Sequence, residues 1–314
     1  MVTMSGSSRY GEAEMRRVLH ELARRLDMAS SGARLLHLAN NAVYLLPLPA
    51  VVVRITRSRQ LHDRVHKVAR LGRWFSTVDA PAIRLAPGVP QPVSAGELLA
   101  TVWEYTPPHQ PMPTVDDLGS LLRSWHALPA PGELPQWNPV EAARRRITDA
   151  DGLDDGDRDW LLGRCDELEP RVAALTADHP ECLVHGDAHL GNLIRRHDGR
   201  VVFCDFDSTC IGPPQADLTA VAAAEIWFDD RGGTHSALVR AYGHDVTTVP
   251  GWPTYRSAQE LAFVVSGVPL LHSAPGINGE FRKRLDSIRR RDETVRWIPY
   301  ARFGIRSDKR LQTP

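Results

Sequence analysis

The sequence predicts an α+β chain of two lobes, a smaller one that mixes strands with helices and a larger one that is mainly helical. Three observations carry this. Short β-type apolar runs concentrate in the first hundred residues. Helical apolar spacing dominates from Val115 onward. The stretch 103–113, ending in several prolines, lies between the two and reads as a hinge. A length of 314 residues suits about two domains, here an N-terminal lobe over 1–105 and a C-terminal lobe over 106–314.

The elements follow in order. Residues 12–26 set Met15, Val18, Leu19, Leu22 and Leu26 at helical spacing. Residues 36–46 and 50–55 read as strands, with turns at Asn40-Asn41 and at 47–49. Residues 60–75 return to helical spacing, 80–92 are proline-punctuated, and 97–105 form a buried strand stopped by Pro107-Pro108. Helices follow over 116–127, 140–150 and 157–177, the first with Asp116 and Asp117 near its positive N-terminus. The stretch 149–157 is an acidic loop. Two short apolar runs near residue 200 flank His197-Asp198-Gly199, a hairpin signal. Helices close the chain over 217–227, 236–242, 256–271 and 281–296, and the last dozen residues read as a frayed end.

Composition excludes several classes. Lys plus Arg and Asp plus Glu are both 38, so there is no net charge, and a nucleic-acid partner is not expected. No apolar run is long enough to span a membrane. The stretch 1–10 lacks an apolar signal core, and four cysteines are too few for a disulfide scaffold, so a cytoplasmic location is expected. Oligomeric state is not set by the sequence. Only Lys67, Lys283 and Lys309 are lysines, which leaves 35 arginines among the 38 basic residues. A GC-rich genome accounts for most of that bias. Its local consequence is that no lysine precedes Lys67.

The chemistry concentrates in 183–218, L-V-H-G-D-A-H-L-G-N-L-I-R-R-H-D-G-R-V-V-F-C-D-F-D-S-T-C-I-G-P-P-Q-A-D-L. The hairpin would return Asn192 beside Asp205, and an amide oxygen with a carboxylate is a hard-oxygen pair suited to Mg²⁺. Asp187, five residues before Asn192, would lie near the metal without needing to bind it, where a base for a substrate hydroxyl belongs. Cys182, His185, His189 and Cys204 invite a zinc reading, but their spacing is not that of a closed structural site. The cysteines read as small apolar fillers.

This spacing matches the kinase pattern H-R-D-x-x-x-x-N followed by D-F-G, with Gly186 in place of the Arg and Asp207 in place of the last Gly. With those two departures the sequence closely resembles the aminoglycoside phosphotransferase family and its choline-kinase-like relatives. The resemblance implies a protein-kinase-like fold, with a small antiparallel-sheet N-lobe and a larger, mainly helical C-lobe. It implies Asp187 as catalytic base, Asn192 and Asp205 as Mg²⁺ ligands, and Asp207 as a second acid assisting the metal. It also implies that His185 supports the catalytic loop, that Asp217 braces it through backbone N–H groups, and that His189 approaches the phosphates. The missing Arg in H-G-D argues against a protein kinase.

For the nucleotide, the resemblance places Arg54, inside Val51-Val52-Val53-Arg54-Ile55, where the family has its strand lysine. A guanidinium holds phosphate oxygens bidentately. The usual pairing Glu on the next helix is missing, because 55–85 hold only Asp63 and Asp79 as acids. Either Asp63 serves, or Asp205 and the nucleotide hold Arg54 alone. Asn41, in the glycine-free segment 36–46, is similar to the Asn of the family's phosphate-covering loop. Glu104, Tyr105 and Thr106 stand where backbone groups meet the adenine edge. For a cationic acceptor the candidates are Glu225, Asp229, Asp230 and Glu260, with Trp227 and Phe228 to stack on a ring. The expected activity is ATP- or GTP-dependent, Mg²⁺-dependent phosphate transfer to a small-molecule hydroxyl, an aminoglycoside among the candidates. A nucleotide-binding pseudokinase or regulatory module, and a kinase for an amino alcohol or a sugar, are the alternatives.

Overall fold

The computed structural model describes residues 11–38, 41–150, 152–177, 182–228, 232–271 and 276–303. In chain order the elements are α1 (Glu12–Arg25), β1 (Arg34–Leu38), β2 (Asn41–Leu46), β3 (Val51–Thr56), α2 (His62–Thr77), β4 (Val93–Ala95), β5 (Leu98–Glu104), α3 (Val115–His126), α4 (Pro139–Thr148), α5 (Asp155–Ala177), β6 (Cys182–Val184), β7 (Leu193–Arg195), β8 (Val201–Phe203), β9 (Cys210–Gly212), α6 (Gln215–Trp227), α7 (Thr234–Tyr242), α8 (Trp252–Val265) and α9 (Ile277–Arg290). The chain forms two compact units. The first reaches Met112 and takes back Ile194–Asp207, and the second spans Pro113–Leu193 and resumes at Ser208. A linear split of the chain misses this return.

The first unit is built on a five-stranded antiparallel sheet of order β1-β2-β3-β5-β4. Alternation sorts its two faces. Ala42, Tyr44, Leu46, Val51, Val53, Ile55, Ala100 and Val102 are buried in one core with Met15, Leu19 and Leu22 of α1. The opposite face carries a register row in which Val43 stands opposite Arg54 and Arg54 opposite Thr101, so one cation sits in an otherwise uncharged row. α2 lies close enough to the β5 side that a Cβ on Gly72 would come within 2.7 Å of Leu85 Cγ. The β7–β8 hairpin joins this unit through backbone bonds. Ile83 N–H donates to Phe203 O at 3.0 Å, and Phe203 N–H donates to Pro81 O at 2.9 Å.

The second unit is mainly helical and has one small sheet, β6 paired antiparallel with β9. Strand β9, three residues long, is too short for the periodicity to reveal. α3 is started by a capping box: Asp117 N–H donates to Thr114 Oγ1 at 3.3 Å, and Thr114 N–H donates to Asp117 Oδ2 at 2.8 Å. The large core gathers Trp227, Phe281, Leu285, Trp297 and Tyr300. Within it Arg284 is only 2% exposed. Its guanidinium carbon lies 3.7 Å from the Tyr300 ring centroid, 5.0 Å from that of Phe228 and 5.3 Å from that of Trp297. Arg284 Nε donates to Glu280 Oε1 at 3.1 Å and Nη1 to Phe263 O at 2.9 Å.

A buried charge is tolerated only when paired and hydrogen-bonded. Arg284→Met leaves Glu280 buried with Lys283 as its remaining cation and empties the aromatic box. The expected cost is about 3 kcal/mol in urea unfolding, and an unchanged midpoint would refute that role for Arg284.

Candidate active site

The loop after β6 is shaped by one carboxylate. Asp217, in the first turn of α6, is 1% exposed. Its Oδ2 accepts from His185 N–H at 2.7 Å and its Oδ1 from Gly186 N–H at 2.8 Å. His126 Nε2 lies 3.0 Å from Oδ2, and His126 Nδ1 lies 2.9 Å from the Tyr242 hydroxyl. A coherent proton arrangement has Tyr242 donating to His126 and His126 donating to Asp217. Burial pushes the Tyr242 hydroxyl up to about 12, which keeps it a donor at neutral pH. His126 is a site residue that sequence reasoning missed, since a lone histidine at a helix end gives no signal.

Gly186 explains why the Arg of the kinase pattern is absent. Its φ is +78°, and a Cβ there would lie 2.3 Å from the Ser208 carbonyl oxygen. No side chain fits without moving that backbone. Asp187 follows, exposed. Asn192 Nδ2 donates to the Asp187 carbonyl at 2.9 Å. Because Gly191 N–H donates to His189 Nδ1 at 3.0 Å, a neutral His189 carries its proton on Nε2, 3.7 Å from Asp187 Oδ2. Desolvation opposes ionisation of Asp187, but His189, with His185 and Arg146, outweighs it and holds the carboxyl below its usual range.

In the first unit Arg54 is the hub. Its Nη1 donates to Asp207 Oδ1 at 2.9 Å, and its Nη2 to Asp207 Oδ2 at 2.6 Å and to Asp205 Oδ1 at 3.1 Å. With its amide oxygen turned to the guanidinium, Asn41 accepts from Nη2 at 2.7 Å and Nε at 3.2 Å. Lys67 Nζ donates to the Asp207 carbonyl at 2.7 Å, and Arg64 Nη1 stands 3.7 Å from Asp207 Oδ2. Both basic residues come from α2 and were not assigned to the site from sequence, because a helical cation reads as solvated surface. Burial opposes the charge on Arg54, but Asp207 and Asp205 outweigh it and hold its pKa above the usual value. Phe206 packs between Phe75 and Trp103, at 4.6 and 5.8 Å between ring centroids, and fixes the two flanking aspartates. Asp205 itself has φ +61°, a strained conformation for a non-glycine residue.

Several expectations change here. Asp207, expected as an acid assisting the metal, spends both carboxylate oxygens on Arg54. Glu225 Oε2 accepts from His235 N–H and Thr234 Oγ1, both at 2.8 Å, and caps α7. Glu260 Oε1 accepts from Trp227 Nε1 and Arg256 Nε, both at 2.8 Å. Trp227 is buried and stacked on Trp297 at 4.2 Å, and Phe228 faces Arg284. These groups serve the unit's own packing rather than an open acceptor surface. Asp229 and Asp230 lie outside the described residues. Glu104, Tyr105 and Thr106 line a pocket of about 150 Å³ with Ala82–Arg84, Pro107, Arg196, His197 and Val202, but no residue of β1–β3 lines it.

For a metal, among the described residues no three His, Cys, Asp or Glu are grouped to hold one. Asn192 is oriented by its Nδ2 bond to Asp187, which leaves its Oδ1 as a hard donor. Asp205 has a half-exposed carboxylate with one oxygen on Arg54. Either kind of oxygen is of the type that suits Mg²⁺.

Comparison with known proteins places the chain in a family. The model of the phosphotransferase enzyme family matches residues 31–261. The chain belongs to that family. It is a small-molecule phosphotransferase acting on a hydroxyl group. No curated protein matches it. Its fold is similar to that of an aminoglycoside phosphotransferase from Streptomyces rimosus, at 20% identity over 78% of this chain and 98% of that one, TM-score 0.59. A choline/ethanolamine kinase family protein from Mesorhizobium loti is 16% identical over 88% and 93% of the two chains, TM-score 0.59. An aminoglycoside phosphotransferase solved with GDP and kanamycin is 15% identical over 87% and 99%, TM-score 0.60. These likenesses establish the protein-kinase-like fold.

Two substitutions test the loop. Asp217→Ala strips the acceptor from the buried His185 N–H and from the Gly186 N–H and is expected to destabilise the chain by about 3 kcal/mol. Gly186→Ala is expected to cost about 2 kcal/mol through its left-handed φ and the Ser208 contact. Chemical denaturation reads both, and wild-type midpoints would refute the bracing geometry.

Proposed function

We propose that the chain transfers the γ-phosphate of ATP or GTP, with Mg²⁺, to a hydroxyl of a small molecule, with Asp187 as the base. The observation that carries this reading is the braced loop, which presents an ionised, exposed carboxylate on a backbone fixed by Asp217. Asp187 would accept the hydroxyl proton and orient the oxygen for in-line attack. Asn192 and Asp205 are the residues the sequence pattern gives to Mg²⁺, which when bound would neutralise charge on the phosphates. Arg54 would face the same charge from β3. At the hinge, Glu104 N–H donates to Arg84 O at 2.9 Å and Tyr105 N–H to Ala50 O at 2.8 Å, so the base edge falls to Thr106 and the hinge carbonyls.

The acceptor is assigned as a hydroxyl compound. Solved structures of similar fold contain kanamycin in one case and spectinomycin in another, and a third belongs to a choline/ethanolamine kinase family protein. With Glu225 and Glu260 engaged internally, an aminoglycoside would need other carboxylates.

A transfer screen with ATP and GTP against aminoglycosides, amino alcohols and sugars tests the reading. Asp187→Asn should lower kcat by about 10² or more while ADP still binds. Full turnover by this variant would remove Asp187 from the role. Asp205→Ala should abolish Mg²⁺-dependent turnover, and retained metal-dependent activity would overturn its assignment.

A further inference from the structure

We propose that Asp207 is the positioning residue for Arg54, taking the place of the pairing Glu that the helix after β3 lacks. This deepens the nucleotide reading above and rests on it. Among the acids between β3 and β4, Asp79 is paired with Arg84 at 2.8 Å. The α2 groups that reach the D-F-D segment are cations, Lys67 on the Asp207 carbonyl and Arg64 beside its carboxylate. The charges are therefore transposed: the acid comes from the segment after β8 and the flanking basic groups from the helix.

The geometry separates Asp207 from Asp205. Asp207 takes the two terminal nitrogens of Arg54 in a fork, and both side chains are largely buried, at 15% and 17% exposed. That is the strong, orienting form of the carboxylate–guanidinium pair. Asp205 makes one Arg54 contact and stays 45% exposed. The space among Asn41, Arg54, Arg64 and Asp207 is about 10 Å³, room for no more than one water, so the pairing is direct. Arg54, Arg64 and Lys67 outnumber Asp205 and Asp207 by one charge, which favours an anionic ligand. With Asp207 and Asn41 fixing the guanidinium plane, Arg54 is set before any nucleotide arrives.

The test is a double-mutant cycle of Arg54→Met and Asp207→Asn on the full chain. In urea unfolding each single change should lower the midpoint, and the double variant should be no less stable than the worse single. Additive losses would overturn the pairing. In phosphate transfer, Asp207→Asn should lower kcat about tenfold or more, yet cost less than about twofold further in the Arg54→Met background. The Mg²⁺ concentration giving half-maximal rate should stay unchanged. A shifted Mg²⁺ requirement, or a full loss in the Arg54→Met background, would make Asp207 a metal residue and overturn the proposal. If wild-type protein transfers phosphate to no acceptor, the functional reading fails, while the unfolding cycle still decides the pairing.

Discussion

The second unit depends on one buried carboxylate. Asp217 is excluded from water, so every lone pair it leaves unfilled would carry a desolvation cost. Two backbone N–H groups and a histidine fill them. The same bonds dictate the backbone path between β6 and Asp187. A loop over a ligand site is ordinarily the soft part of a fold. Here the charge that cannot be solvated stiffens it, and the contact at Gly186 closes the remaining freedom. Precision at the exposed aspartate is therefore supplied from behind, by the core.

The first unit solves a related problem with opposite charges. A cation on a central strand must be balanced within a register row that is otherwise uncharged. Asp207, Asp205 and Asn41 do this from two directions, so Arg54 is satisfied on nearly all its donor positions. The chain's excess of arginine over lysine is thus locally consequential. A guanidinium offers five fixed donors where an ammonium offers three movable ones, and several acceptors can share it.

Much of this was legible in the sequence. The H-G-D-x-x-x-x-N and D-F-D segments pointed to candidate chemistry, because strand ends, a hairpin turn and hard-oxygen residues recur along them. The helices over 12–26 and 60–75 stand close to α1 and α2, since one-sided burial leaves a periodic trace. Strands β4 and β9, three residues each, left none. The partner of Arg54 was legible only in part. Asp63 and Asp205 were the expected partners; Asp205 accepts one bond, whereas the fork comes from Asp207, 153 residues away. The contacts of Glu225, Glu260, Trp227 and Phe228 were not legible, for a general reason. A carboxylate or ring in a helix looks the same in sequence whether it faces a ligand, caps the next helix or stacks in the core.

The box around Arg284 has a consequence for amino-alcohol recognition. Three rings around a delocalised cation are the arrangement by which proteins hold quaternary ammonium groups. Here the cation is tethered to α9, so the site is filled by the chain itself at unit stoichiometry. A free trimethylammonium compound therefore competes with a covalently attached occupant at very high effective concentration. The box around Arg284 is in this sense a lock already holding its own key, and a charged acceptor would have to be held at a different surface.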